Sequence, residues 1–222
     1  MECGNNTLKP YLLMGAIQMY EATGERAYRD HVITCLNRLE AFRDPAEGLP
    51  AEDYLAYFFA LNQTGDEKYR QRIESLIAES GWTLESLPFV TAYETEYKRK
   101  EHYNEIAAFF REKDEFTGKE LVALIETIDQ MSEEIYEYYR ELKDLFKAAV
   151  REKAGGMPAP SETAEIGYAI LKACNTGVLQ PEKYRESGER FWMAAPENPG
   201  DSWEGLQEMY KAQRIILKKQ EA

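Results

Sequence analysis

The stretch GWTLESLPF, residues 81–89, places a carboxyl, Glu85, three positions after an indole, Trp82. A carboxyl against an indole face loses hydration, which raises its pKa and suits it to give a proton near neutral pH. The competing reading is an acid in the first turn of a helix, where exposed amide groups favour negative charge. Other chemistry has little material. Two histidines, His31 and His102, leave a Ser-His-Asp triad or a multi-histidine metal site without its parts. Both lie in charged helical runs and are expected to be solvated. Cys3, Cys35 and Cys174 are unevenly spaced and odd in number, so ordinary thiols are expected, with no zinc site and no disulfide framework. No metal and no cofactor are expected.

The elements that must position these residues are helical throughout. Apolar residues recur at helical spacing, as in Leu121, Leu124, Ile125, Ile128 and Met131, and strand-like alternation is missing. The pattern predicts eleven helices, starting near residues 7, 26, 51, 67, 84, 102, 118, 134, 162, 181 and 202. Breaks fall at Gly24, Asp44-Pro45, Gly65, Gly81, Gly118, the run from Gly155 to Pro158, and Ala195 to Asp201. None is long enough for a domain linker, so residues 1–222 are expected to form one domain. MPAPSET, 157–163, is predicted to end in a helix N-cap at Ser161 or Thr163, and EEIYEYYRELKD, 133–144, to present a solvated face opposite a Tyr-Leu seam.

One phrase occurs twice. YEATGERAYRDHV from Tyr20 and LNQTGDEKYRQRI from Leu61 share a Thr-Gly, acids just after it and a Tyr four residues past the Gly. A Gly past a helix end can take the left-handed conformation that closes it, and an acid after it suits the next helix start. The phrase therefore predicts a tight turn between antiparallel helices. It continues in weaker form at YETEYKRKEHYNEI, 93–106, and CNTGVLQPEKYRES, 174–187. Tyr28, Tyr69, Tyr103, Tyr139 and Tyr184 then mark units of 41, 34, 36 and 45 residues. Repeats of this size are stacked hairpins, in an open solenoid or a closed ring. The drifting period argues against a tetratricopeptide solenoid, which keeps a strict repeat, and favours the ring.

The charge balance narrows the partners. A net charge of −13 disfavours nucleic acid and anionic membranes, and no apolar run approaches the length of a membrane span. The opening MECGNNTLKP lacks the basic and apolar stretches of a signal peptide, so a cytoplasmic protein is expected.

TGDEKY, Trp82 followed by LPFVTAYETEY, GKELVALIETI and GYAILKACNTGVLQPEKYRESGERFW together resemble the unsaturated uronyl hydrolases of glycoside hydrolase families 88 and 105. Tyr168, Ala169, Ile170, Lys172, Gly177, Leu179, Tyr184 and Trp192 fall on the frame of that family's late motif. The resemblance implies an all-α (α/α)6 toroid of six hairpins. Here it is expected to be incomplete, because the chain opens almost at the NNTLKPYLLMGAIQMYEATG helix, where the family has an earlier one. It also implies a uronyl oligosaccharide ligand.

The departures bear on activity. The family's Trp-x-Asp, which carries its catalytic acid and base about seven residues before a Pro-Phe, is replaced by Trp82 six residues before Pro88 with no Asp between. Glu85 is the only acid there. A second family Asp would fall on Leu49 or Pro50, with Glu47, Glu52 and Asp53 nearby but off register, and the opening Glu of the late motif would fall on Ala159, one turn before Glu162. The family's His-rich and Gly-Arg-Gly-x-Gly-Trp pocket segments have no counterpart after Phe110. Activity is therefore expected to be weak or lost; if relocated, it would rest on Glu85, Glu52 or Asp53. Trp82, Trp203 and Glu162 are the candidate sugar contacts, since an indole can stack on a sugar ring. The alternative is a non-catalytic helical-repeat module that binds a ligand or a protein.

Overall fold

The computed structural model describes residues 8–41, 48–78, 81–156, 158–197 and 200–220. Among them the regular structure is helical, with eleven α-helices and no strand. They are α1 Leu12–Thr23, α2 Arg26–Ala41, α3 Leu55–Thr64, α4 Glu67–Ala78, α5 Leu87–Glu96, α6 Tyr103–Arg111, α7 Gly118–Gln130, α8 Tyr136–Gly155, α9 Thr163–Asn175, α10 Pro181–Met193 and α11 Trp203–Gln220. Short 3-10 turns, Ala51–Asp53, Leu84–Ser86 and Pro160–Glu162, lead into α3, α5 and α9. The largest departure from the sequence pattern is α1, which starts at Leu12. Pro10 disfavours helix at Lys9, and Tyr11 takes a left-handed φ of 64°.

Two kinds of helix alternate. Odd-numbered α1, α3, α5, α7 and α9 are buried on most sides; in α9 every residue from Thr163 to Cys174 is buried. Even-numbered helices bury one stripe, as α2 does with Val32, Cys35 and Leu36. The repeated phrase makes the turn between them. In both copies a Thr hydroxyl bonds back one turn, Thr23 to the Met19 carbonyl and Thr64 to that of Ala60, each at 2.7 Å. The next amide past the Gly donates to the same hydroxyl, from Glu25 in one and Asp66 in the other. Gly24 and Gly65 have φ of 74° and 67° and donate to the carbonyl four residues back. Tyr69 is buried and its hydroxyl donates to Asn37 Oδ1 at 2.8 Å; Tyr28 packs on a cluster of Met19, Ala22 and Ala212.

The chain divides into two compact units, residues 1–83 with 200–220, and residues 84–199. In unit 1, α1 pairs with α2 and α3 with α4, and α11 runs parallel beside α1. Gly15 and Gly205 bring the two backbones together; Gln213 Nε2 donates to Gln18 Oε1 at 2.9 Å, and Lys219 Nζ to the Ala22 carbonyl at 2.6 Å. An open solenoid has no such contact between its first and last helices.

In unit 2, α5 with α6, α7 with α8 and α9 with α10 form hairpins around Phe89, Phe110, Leu121, Leu124, Phe146 and Tyr168. The weakened copy of the phrase lacks a glycine here. Its turn puts Lys98 and Lys100 at φ of 51° and 56°, and buried Glu94 holds it by accepting the Glu101 amide at 2.8 Å and lying 2.7 Å from His102 Nδ1. His102 is thus half-buried and paired rather than solvated. His31 also departs from expectation: it is half-buried beside Cys35, and burial lowers its pKa. Cys174 is a buried free thiol, as expected, whereas Cys35 is disulfide-bonded, contrary to expectation. Neither Ser161 nor Thr163 caps α9, because the 3-10 turn starts it and the Thr163 hydroxyl donates back to the Pro160 carbonyl.

Candidate functional site

The odd-numbered helices within unit 2 run the same way, so their N-termini share one end. At the far end Thr95 of α5 donates to the Gln130 carbonyl of α7 at 2.8 Å. At the near end the Leu84–Ser86 turn packs on α7, and Gly118, which opens α7, lies against Glu162 and Glu165 of the α9 entry. Glu85 and Glu162 are therefore brought to one end of the unit. Glu85 is half-buried in its 3-10 turn. Glu162 Oε2 lies 3.6 Å from Lys153 Nζ at the end of α8.

The same end holds an acid that residue spacing did not single out. Glu165 is 8% exposed. Desolvation raises its pKa to about 7, helped by the charge of Glu162 and opposed by that of Lys119. The neighbouring carboxyl Glu120 is committed elsewhere: it closes a capping box with Thr117 and pairs with Lys113 Nζ at 2.7 Å, and these hydrogen bonds outweigh its burial to lower its pKa. The signal for Glu165 was its place among apolar residues in ETAEIGYAIL, an acid on the buried face of a helix.

In unit 1, Asp53 is wholly buried. Its Oδ1 accepts the Met14 amide at 2.8 Å, in the first turn of α1, and its Oδ2 has no hydrogen-bond partner among the described residues. Tyr11 supplies no side-chain cap for α1, so Asp53 does that work from another element. Burial raises its pKa to about 8, with Glu52 adding to the rise and the amides of α1 opposing it. Glu52 is half-buried beside it, and Trp203 opens α11, whose Gly205 lies against Tyr11. Glu52, Asp53 and Trp203 thus lie toward the end of unit 1 at which α1 begins. Trp82, half-buried, belongs to the same unit.

The late motif has a structural role that spacing did not reveal. Tyr168 donates to Glu126, and Lys172 Nζ lies 2.7 Å from Asp129 Oδ2 and 4.0 Å from Glu126 Oε2, tying α9 to α7 through a buried polar cluster. Among the described residues no group of three or more His, Cys, Asp or Glu side chains is placed to hold a metal ion, and no helix is long and apolar enough to cross a membrane.

No family model matches the sequence. No curated protein matches it either. Solved structures do. The chain is similar to a glycosyl hydrolase family 88 protein from Bacteroides vulgatus, with a TM-score of 0.67 and 13% identity over 95% of this chain and 92% of that one. It is also similar to a polysaccharide lyase, with a TM-score of 0.68 and 13% identity over 97% of this chain and 92% of that one. Identity this low carries the fold and not the chemistry. The chain has an all-α fold built of antiparallel helical hairpins, of the (α/α)6 toroid type, and is close in length to both neighbours.

Proposed function

We propose that the chain is a carbohydrate-active protein that takes uronyl oligosaccharides, with weak or absent turnover. The observation that carries this reading is the end of unit 2, which gathers the carboxyls Glu85, Glu162 and Glu165 with the cations Lys119 and Lys153. Carboxyls supply acid and base chemistry, and lysines suit an anionic sugar. The fold likeness to a glycosyl hydrolase and a polysaccharide lyase supports a sugar ligand. In this proposal Trp82, Trp203 and Glu52 are sugar contacts of unit 1, and Asp53, which no ligand can reach without rearrangement, positions α1.

The missing Trp-x-Asp is the reason for expecting weak turnover. The test is an unsaturated uronyl disaccharide, with binding followed by calorimetry and turnover by loss of the double-bond ultraviolet absorbance. Binding with turnover well below about 1 per second is expected; faster turnover overturns the weak-activity reading, and no binding overturns the carbohydrate one.

A further inference from the structure

The turn that joins α5 to α6 departs from the pattern of its own repeat. After α1, α3 and α9 the left-handed position is a glycine, Gly24, Gly65 or Gly177, with φ of 74°, 67° and 72°. After α5 it is Lys98, with φ of 51°, and two residues on Lys100 repeats the conformation at 56°. A side chain in that conformation costs energy, so the surroundings must hold the turn. Glu94 does so: its buried carboxyl accepts the Glu101 amide and lies 2.7 Å from His102 Nδ1, while its backbone carbonyl accepts the Arg99 amide at 3.2 Å. The turn thereby presents Lys98, Arg99 and Lys100 in succession, all exposed. Among the described residues none of the three has an acid partner, whereas cations elsewhere do, as Lys9 with Glu204, Lys68 with Asp66 and Arg111 with Glu141. Arg99 is steadied by an aromatic face, its guanidinium 5.8 Å from the ring centroid of buried Tyr93. The carbonyl end of α5 favours a cation nearby, yet that preference asks for no left-handed lysine and no third charge.

We propose that this turn binds a doubly charged tetrahedral oxyanion, inorganic phosphate or the phosphate group of a phosphomonoester. Strain kept where glycine would relieve it marks a position held for its side chain. Three cations converge their donors on one group, and Arg99 can hold two of its oxygens at once. The flanking acids Glu96 and Glu101, both exposed, limit the size of the ligand. An extended polyanion would run into them and into a chain of net charge −13, and a single carboxylate would leave most of the cationic charge unused. One compact dianion meets the cations without crossing the acids. The turn lies at the end of residues 84–199 that carries the Thr95–Gln130 contact, away from Glu85, Glu162 and Glu165, so the site is independent of the carbohydrate reading.

The experiment uses the full chain at about pH 8, where phosphate is mostly doubly charged. Inorganic phosphate and glycerol phosphate are the probes, and sodium chloride at matched ionic strength is the control. Calorimetry reads the dissociation constant, and thermal unfolding reads the stabilisation. Saturable binding of one phosphate per chain is expected. The double variant Lys98→Gly with Lys100→Gly relieves both left-handed residues. It is expected to melt no lower than wild type and to bind phosphate about tenfold more weakly, a loss that a folding defect cannot explain. Arg99→Ala is expected to weaken binding by a similar factor. Because phosphate stabilises many proteins by exclusion from their surface, only stabilisation that vanishes in the double variant counts. Binding of inorganic phosphate supports the free ion as ligand, and binding of glycerol phosphate alone supports a phosphomonoester. Equal affinity in wild type and the double variant overturns the proposal, as does absence of saturable binding by either probe. A double variant that melts well below wild type overturns the strain argument on which the proposal stands.

Discussion

Replacing Asp53 by Asn should make the protein less sensitive to alkali. Asp53 is wholly buried with a pKa of about 8, against 3.8 for the free side chain. Between those values the unfolded chain releases the proton and the folded chain keeps it. The stabilisation is therefore complete below pH 4 and is lost as pH rises toward 8, by about 1.4 kcal/mol per pH unit. Only two of those units fall between pH 6 and pH 9, so wild type should lose on the order of 2–3 kcal/mol over that range through this one group. Asn keeps an oxygen to accept the Met14 amide and cannot ionise, so it should lose none of this. With a urea m-value of about 2 kcal/mol/M, the wild-type midpoint should fall by roughly 1 M more than that of Asp53→Asn between the two pH values. Urea titrations of both proteins at pH 6 and pH 9 measure it, and the comparison removes the background from the other carboxylates. Equal losses in the two proteins would refute the reasoning. So would a variant weakened equally at both pH values, which is the signature of a native Asp53 that is ionised and stabilises α1 by its charge.

Three further outcomes are expected. Gly65→Ala should cost about 1 kcal/mol in thermal or urea unfolding and leave ligand binding unchanged, because a Cβ there meets nothing within 4 Å and only the left-handed φ of 67° opposes it. Gly118→Ala should cost roughly 1–3 kcal/mol despite the better helix propensity of Ala, since its Cβ would meet the Glu165 side chain at 2.5 Å and the Glu162 backbone at 2.9 Å; a variant as stable as wild type would show that α7 and α9 are looser than described. Lys172→Met should destabilise by about 3 kcal/mol, because it leaves Glu126 and Asp129 without their buried cation; urea unfolding of the variant beside wild type checks it, and equal stability would refute it.

The sequence by itself determined the features that depend on neighbours a few residues away. The Thr-Gly turns are written locally: hydroxyl to the carbonyl four residues back, glycine amide to the carbonyl four residues back, and a φ that only glycine adopts freely. The helices were legible for the same reason, since their amides and apolar stripes repeat within one or two turns, and the hairpin repeat followed from them. Where a local rule misled, a different element supplies the cap or the start. Helix α9 begins through a 3-10 turn in place of a Ser or Thr cap, and α1 is capped by Asp53, 39 residues from Met14. Tertiary structure decided the electrostatics. Glu126 and Tyr168 lie 42 residues apart in the chain and become partners only when α7 and α9 pack. Glu165 reads like any acid near a helix start until Gly118 lets α7 close over it, whereas Glu162, three residues earlier, keeps its lysine and its water. Proton affinity depends on which atoms replace water around a carboxyl, and those atoms come from segments that residue spacing does not connect.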